Sequence, residues 1–210
     1  MIEKKKKLVL FDLDGVLIDS KSNMRQTWEL VSNEFGLFIP FENYFSNIGR
    51  PFRDILSIIG VTEQQFDIEN RYNQLSSQII GQIKIFSGAQ QYLQFLQESD
   101  ILIGIVTSKE KERAQKILNK FKNQFSVVRT PDGICRGKPA PDHLLMAVAL
   151  ENVDPSETLF VGDMDVDSIA AKRAGIDYVH ASWGYGSCGE DEYQLKVFSD
   201  INKYIFGSKK

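Results

Sequence analysis

Four short apolar runs organise this chain. They are Leu8–Phe11 (LVLF), Ile101–Val106 (ILIGIV), Thr158–Val161 (TLFV) and Tyr178–His180 (YVH), with Ser126–Val128 (SVV) as a weaker fifth. Each is short, continuous and rich in β-branched or aromatic residues, which reads as strand. Helical patterns lie between them, over Ala89–Gln97, Lys109–Phe121, His143–Leu150 and Asp167–Ala174. Strands that alternate with helices imply βαβ units and a parallel sheet. Parallel strands are buried on both faces, so their apolar runs are unbroken rather than alternating.

Residues 21–86 break this rhythm, with no strand expected there. The spacing predicts amphipathic helices over Met24–Phe35, Phe52–Ile59 and Glu63 to about Ile80. Ten aromatic residues fall in the interval, among them Trp28, Phe35, Phe45 and Phe52. So many rings in so short a segment predict a helical insert with its own core, some of whose aromatics can also line a cavity.

The chemistry begins at the ends of the strands. LVLF runs directly into Asp12, and Asp14 follows in FDLDG. Buried carboxylates are costly without a partner. Residues two apart in extended chain point the same way, so both can converge on one site. Gly15 frees the backbone to turn, and ligands of open α/β sheets bind beyond the carboxyl ends of strands. The plainer alternative is a pair of solvated loop carboxylates. Asp19 is expected to order the turn that follows.

A second apolar strand enters VGDMDVD, which brings Asp163, Asp165 and Asp167 to a helix start. One aspartate there can simply cap the helix; three together cannot all do so. Carboxylates crowded at two strand ends repel, and a hard divalent cation relieves this, with oxygen ligands suiting Mg2+. In GKPAPD, Pro139 and Pro141 restrict the chain, so Lys138 is held at a helix entrance, with Pro141 in the first turn. Thr107 and Ser108 end the strongest strand, where a hydroxyl and backbone N–H groups can meet phosphate oxygens.

These segments, FDLDGVLIDS, IVTSK, GKPAPD and VGDMDVD, occur together and in order, and the chain resembles the haloacid dehalogenase-like (HAD) hydrolases from Leu8 to about Gly186. The resemblance implies an α/β fold: a Rossmann-like parallel-sheet core of residues 1–20 and 87–210, with an α-helical cap domain inserted over 21–86. FSGAQQYLQFLQ (Phe86–Gln97) resembles the family's return into the core. ASWGYGS (Ala181–Ser187) resembles the loop after the last strand in phosphoglycolate-phosphatase-like members.

The implied activity is Mg2+-dependent hydrolysis of a small phosphorylated metabolite, phosphoglycolate phosphatase-like, through an aspartyl-phosphate. Asp12 would be the nucleophile and Asp14 the acid and base. Asp12, the Asp14 carbonyl and Asp163 would hold Mg2+, with Asp167 as ligand or support. Thr107 and Ser108 would bind phosphoryl oxygens, and Lys138 would neutralise charge. Haloacid dehalogenases lack an acid at the position of Asp14, so its presence favours phosphoryl chemistry. Met164 stands where many relatives carry a small residue and is expected to adjust packing.

Relatives place specificity residues at positions matching Gly49, Arg50 and Lys109, although Arg50 reads equally as a surface arginine. His143 and His180 are expected to be structural. Two other readings stand beside the phosphatase. A sugar phosphomutase of the β-phosphoglucomutase type shares these motifs, but 21–86 contains no histidine. A non-catalytic phosphate-binding module would require a lost core group, and none is missing.

Composition bounds the partners. The net charge of −3 argues against nucleic acid or an anionic membrane as partner. No apolar stretch reaches the 18 residues of a membrane span. Lys4–Lys7 is expected to be a solubilising lead-in, since the apolar run after it is cut short by Asp12. Two cysteines, Cys135 and Cys188, suit a reducing cytoplasm and no disulfide framework. The expected protein is a cytoplasmic monomer or homodimer.

Overall fold

A computed structural model describes residues 5–122, 125–187, 189 and 193–206. The strands are β1 (Leu8–Phe11), β2 (Ile18–Asp19), β3 (Lys84–Ile85), β4 (Leu102–Val106), β5 (Val127–Arg129), β6 (Thr158–Gly162), β7 (Asp177–Ala181) and β8 (Gln194–Leu195). The α-helices are α1 (Lys21–Glu34), α2 (Phe41–Phe45), α3 (Phe52–Ile58), α4 (Gln65–Gln78), α5 (Ala89–Glu98), α6 (Lys111–Leu118), α7 (Asp142–Leu150), α8 (Asp165–Ala174) and α9 (Asn202–Ile205).

Six strands form one parallel sheet in the order β5-β4-β1-β6-β7-β8. β1 is central and fully buried. Its side chains alternate between two cores: Val9 and Phe11 join one apolar cluster, Leu8 and Leu10 the other. Helices cover both faces. α5 buries Ala89, Tyr92, Leu93 and Leu96, one stripe at helical spacing. The strand order reverses around β1, which places a crevice at the C-terminal ends of β4, β1 and β6.

Between β2 and β3, helices α1–α4 gather around a separate apolar cluster. Trp28 stacks on Tyr44 at 4.6 Å, Phe52 meets Tyr72 at 4.7 Å, and Tyr44 donates to Tyr72 Oη at 3.0 Å. Favourably oriented aromatic pairs add roughly 0.5–1.5 kcal/mol each beyond area burial. Met164 and Val166, from the start of α8, complete this cluster, so Met164 does serve packing.

Several boundaries differ from the sequence reading. The interval 21–86 is not strandless: β3 pairs antiparallel with β2, Ile18 against Ile85. Two residues are too few for a periodic signal. The predicted Lys109–Phe121 helix begins at Lys111, because the Glu110 carboxylate caps it, accepting from the N–H groups of Glu112 (2.8 Å) and Arg113 (3.1 Å). α8 starts at Asp165 rather than Asp167, and Pro141 precedes α7 instead of lying in its first turn. Lys6 is no solvated lead-in residue. It is buried, ion-pairs with Asp177 and donates to the Ser156 carbonyl at 2.7 Å. Cys188 lies outside the described residues. Among those described, no helix is long and apolar enough to cross a membrane.

Candidate active site

The crevice at the strand ends is lined by acids. Asp12 follows β1 directly, its N–H bonded to the Val161 carbonyl of β6 at 2.9 Å. Asp163 follows β6, and Asp167 lies in the first turn of α8. One carboxylate oxygen from each of Asp12, Asp163 and Asp167 lies within 4.8 Å of the other two, and all three residues are buried.

Lys138 is the cation of this group. Its Nζ is 3.0 Å from Asp12 Oδ1 and 2.6 Å from Asp167 Oδ1. These are ion pairs by distance, without hydrogen-bond alignment. Asp167 combines both readings of the sequence. Its Oδ2 accepts from the N–H groups of Asp163 (3.2 Å) and Met164 (3.0 Å), which secures the helix start, while its Oδ1 faces the cluster. Asp163 Oδ2 accepts from the Tyr185 N–H at 2.7 Å, but its Oδ1 is buried with no hydrogen-bond partner among the described residues.

Gly15 allows the close approach. It sits at φ +80°, and a Cβ there would lie 2.1 Å from Asp163 Oδ2. The backbone of the β1 loop thus runs against the Asp163 carboxylate.

With all three carboxylates ionised, the Lys138 ammonium would offset one of three negative charges in a buried site. Burial raises Asp12 to about 7 against the opposing pull of Lys138, with Asp167 and Asp14 adding to the rise. Burial also lifts Asp163 well above the carboxylate range, helped by Asp167 and Asp12. Burial works against the Lys138 charge, but Asp12 and Asp167 outweigh it and hold the lysine above its ordinary value. The all-oxygen donor set, the orphaned Asp163 Oδ1 and the excess negative charge fit a hard divalent cation.

Asp14 stands apart from this cluster. Its Oδ1 accepts a short hydrogen bond from Ser20 Oγ and lies 3.0 Å from Lys109 Nζ. Lys109 was expected to select substrate; the structure buries its side chain against Asp14 and places the residue in the cavity wall. Burial lowers its basicity against the support of Asp14. The helix boundary explains this: with Glu110 as cap, Lys109 falls in the loop and points inward.

A cavity of about 470 Å³ opens above these groups, lined by Asp12, Asp14, Thr107, Ser108 and Lys109 from the sheet side and by Gly49 and Arg50 opposite. Ser108 Oγ donates to the Gly49 carbonyl at 2.6 Å, tying the two sides together. Thr107 Oγ1 accepts from the Lys109 N–H at 3.2 Å. Arg50 pairs with the exposed Asp165 at 3.1 Å, so Asp165 belongs to the rim and not to the acidic cluster.

Other contacts were not foreseen. Tyr185 Oη accepts from the Ser20 N–H at 2.7 Å and lies 2.9 Å from Asp19 Oδ1, which fastens the start of α1. Asp19 also accepts from the Lys21 N–H at 3.2 Å, as expected of a turn-ordering residue. Arg113 reaches the cavity and donates to Asn73 Oδ1 at 2.7 Å. Its only sequence signal was a charge on the apolar face of α6. His180 is buried beside Tyr178 at 3.2 Å, a structural placement.

Comparison with known proteins agrees with this architecture. A family model of haloacid dehalogenase-like hydrolases matches residues 9–181. The chain is 30% identical to a phosphoglycolate phosphatase of Xanthomonas campestris over 88% of this chain and 86% of that one. It is 28% identical to the pyrophosphatase PpaX of Oceanobacillus iheyensis over 90% and 88%. The crystal structure of a hydrolase from Pseudomonas syringae superposes with a TM-score of 0.85 at 22% identity, covering 98% of this chain and 99% of that one. The chain belongs to the haloacid dehalogenase-like hydrolase family, as a phosphatase-type hydrolase.

Proposed function

We propose that this protein is a Mg2+-dependent phosphatase that hydrolyses a small phosphorylated metabolite through an aspartyl-phosphate on Asp12. The observation that carries this reading is the buried Asp12–Asp163–Asp167 group, with Asp163 Oδ1 unpartnered among the described residues and Lys138 paired to Asp12 and Asp167. Mg2+, held by Asp12, Asp163, Asp167 and the Asp14 carbonyl, would supply the charge that screens the carboxylates and polarises the phosphoryl group.

The chain's own residues divide the remaining work. Asp12 attacks phosphorus, forming one P–O bond while the bond to the leaving oxygen breaks. Asp14, held by Ser20 and Lys109, gives that oxygen its proton. Asp14 then takes a proton from the water that attacks the aspartyl-phosphate, which releases phosphate and restores both acids. Thr107 and the Ser108 N–H bind phosphoryl oxygens, and Lys138 keeps Asp12 oriented and offsets developing charge.

We read residues 21–86 as a cap over a core of 1–20 and 87–210. The separate apolar cluster of α1–α4 supports this division, as does the antiparallel β2–β3 pair, where the chain leaves and returns. Gly49 and Arg50 would then meet the leaving group across the cavity. Phosphoglycolate-like substrates are favoured by the resemblance to phosphoglycolate phosphatase, and the two-cysteine composition suits work in the cytoplasm.

Hydrolysis of p-nitrophenyl phosphate with and without Mg2+ tests the reading; folded protein with no metal-dependent turnover would overturn it. Linkage gives a second test. Asp12 is raised, so the stability contributed by its proton is complete below the ordinary carboxylate range and lost as pH rises through about 7. Mg2+ should therefore raise Tm more at about pH 8 than at about pH 5. Equal shifts at both would contradict the placement of the cation beside Asp12.

Lys109→Met removes the ion pair that steadies Asp14. The expected loss in kcat is about 10- to 100-fold for an alkyl phosphate, whose leaving oxygen needs a proton. The loss should be much smaller for p-nitrophenyl phosphate, whose phenolate leaves unassisted. Equal losses for both substrates would show that Lys109 does not act through Asp14.

A further inference from the structure

The loop that brings Lys138 to the active site and the start of α7 after it together carry another donor group. Asp132, Cys135 and His143 each place one ligand atom within 4.8 Å of the other two. None of the three lines the substrate cavity, and none has a part in the reaction proposed above.

His143 supplies an observation independent of proximity. It lies in the first turn of α7, it is 5% exposed, and its Nδ1 is buried with no hydrogen-bond partner among the described residues. A neutral imidazole carries one N–H donor and one lone pair. With Nδ1 unbonded among the described residues, the buried ring has a nitrogen open to a ligand.

Asp132 Oδ1 accepts from the N–H groups of Ile134 (2.9 Å) and Cys135 (2.8 Å), so the loop winds around this carboxylate and holds Cys135 beside it. Those two bonds hold Asp132 well below the carboxylate range. Arg129 stands next to both, 2.5 Å from Asp132 Oδ2 and 3.8 Å from Cys135 Sγ. The Arg129 guanidinium already stands at the edge of this group, where a metal ion would meet the same carboxylate and sulfur.

We propose that Asp132, Cys135 and His143 bind one zinc-class transition-metal ion, separate from the cation at Asp12, Asp163 and Asp167. The two donor sets differ in kind. Thiolate, imidazole and carboxylate form a borderline-soft set that selects Zn2+ over Mg2+, whereas the all-carboxylate group has the opposite preference. Thiolate and carboxylate charges balance a dication, and binding releases the Cys135 thiol proton. The donors, now within 4.8 Å, must draw in to about 3.5 Å around a tetrahedral ion. Gly133, at φ +73°, and the exposed loop around it give room for that movement. Three protein donors leave the fourth position to water. An ion here fastens the segment whose far end presents Lys138.

The test uses the full chain with Cys188→Ser, so that Cys135 is the one thiol, in excess Mg2+. Titration with Co2+ should give one equivalent of binding with a thiolate-to-cobalt charge-transfer band, bleached by added Zn2+. Cys135→Ser should abolish the band, and His143→Gln should weaken binding by about 100-fold or more, beyond the loss typical of an outer-shell partner. Asp12→Asn should leave the band unchanged. Absence of the band in the parent, its survival in Cys135→Ser, or its loss in Asp12→Asn would overturn the proposal. If His143→Gln fails to fold, Asp132→Asn, on the exposed loop, takes its place with the same expected weakening; undiminished affinity there would also overturn it.

Discussion

Asp12→Asn is expected to abolish turnover while the protein stays folded. The amide keeps the shape of the side chain but cannot act as the nucleophile, and loss of a covalent nucleophile costs on the order of 10^4-fold or more in kcat. Stability should move the other way. Asp12 is a buried carboxylate crowded by Asp167 and Asp14 and raised to about 7, so neutralising it relieves repulsion. In chelator, above neutral pH, the Asn variant should melt at or above the parent Tm. Steady-state kinetics with p-nitrophenyl phosphate and a thermal melt decide the matter. Retained turnover would move the nucleophile elsewhere, and a large drop in Tm would show that Asp12 holds the fold rather than the reaction.

Lys138→Met should damage both stability and rate. The substitution leaves Asp12 and Asp167 without their shared ammonium, in a site where all three residues are buried. Removing one partner of a buried ion pair typically costs about 3–5 kcal/mol, because the other charge stays buried and unpaired. Urea melts should show a loss of that order in chelator, partly recovered by Mg2+, which would take over as counter-charge. Turnover should fall by about 10²- to 10³-fold, the usual loss for one preorganised electrostatic group. A variant with parental stability and rate would show that the 3.0 and 2.6 Å pairs do no work.

Much of the fold was legible because burial writes itself into composition. β1, β4 and β6 lie inside a two-sided core, and each left a short apolar run. The meeting of Asp12, Asp163 and Asp167 was also readable, since strands in one parallel sheet deliver their C-terminal residues to the same edge. Short elements were not. β2, β3 and α2 span at most five residues, too few to repeat a pattern. Lys109 was misplaced because an N-cap glutamate is a weak signal, and moving the helix start by two residues turned a helical lysine into a loop residue facing Asp14.

The sequence by itself determined the parallel sheet, the order in which its strands present chemistry, and the identity of the acids at its edge. Those follow from local facts: which residues are apolar in a row, and what comes next. Only the tertiary structure decided how the charges pair. Lys138 goes to Asp12 and Asp167, Lys109 to Asp14, Lys6 to Asp177, and Asp163 Oδ1 finds no hydrogen-bond donor among the described residues. Charged side chains look alike in a sequence whether solvated or buried. Their partners are set by which loops the sheet brings within about 4 Å, the range over which a buried charge must find its counter-charge.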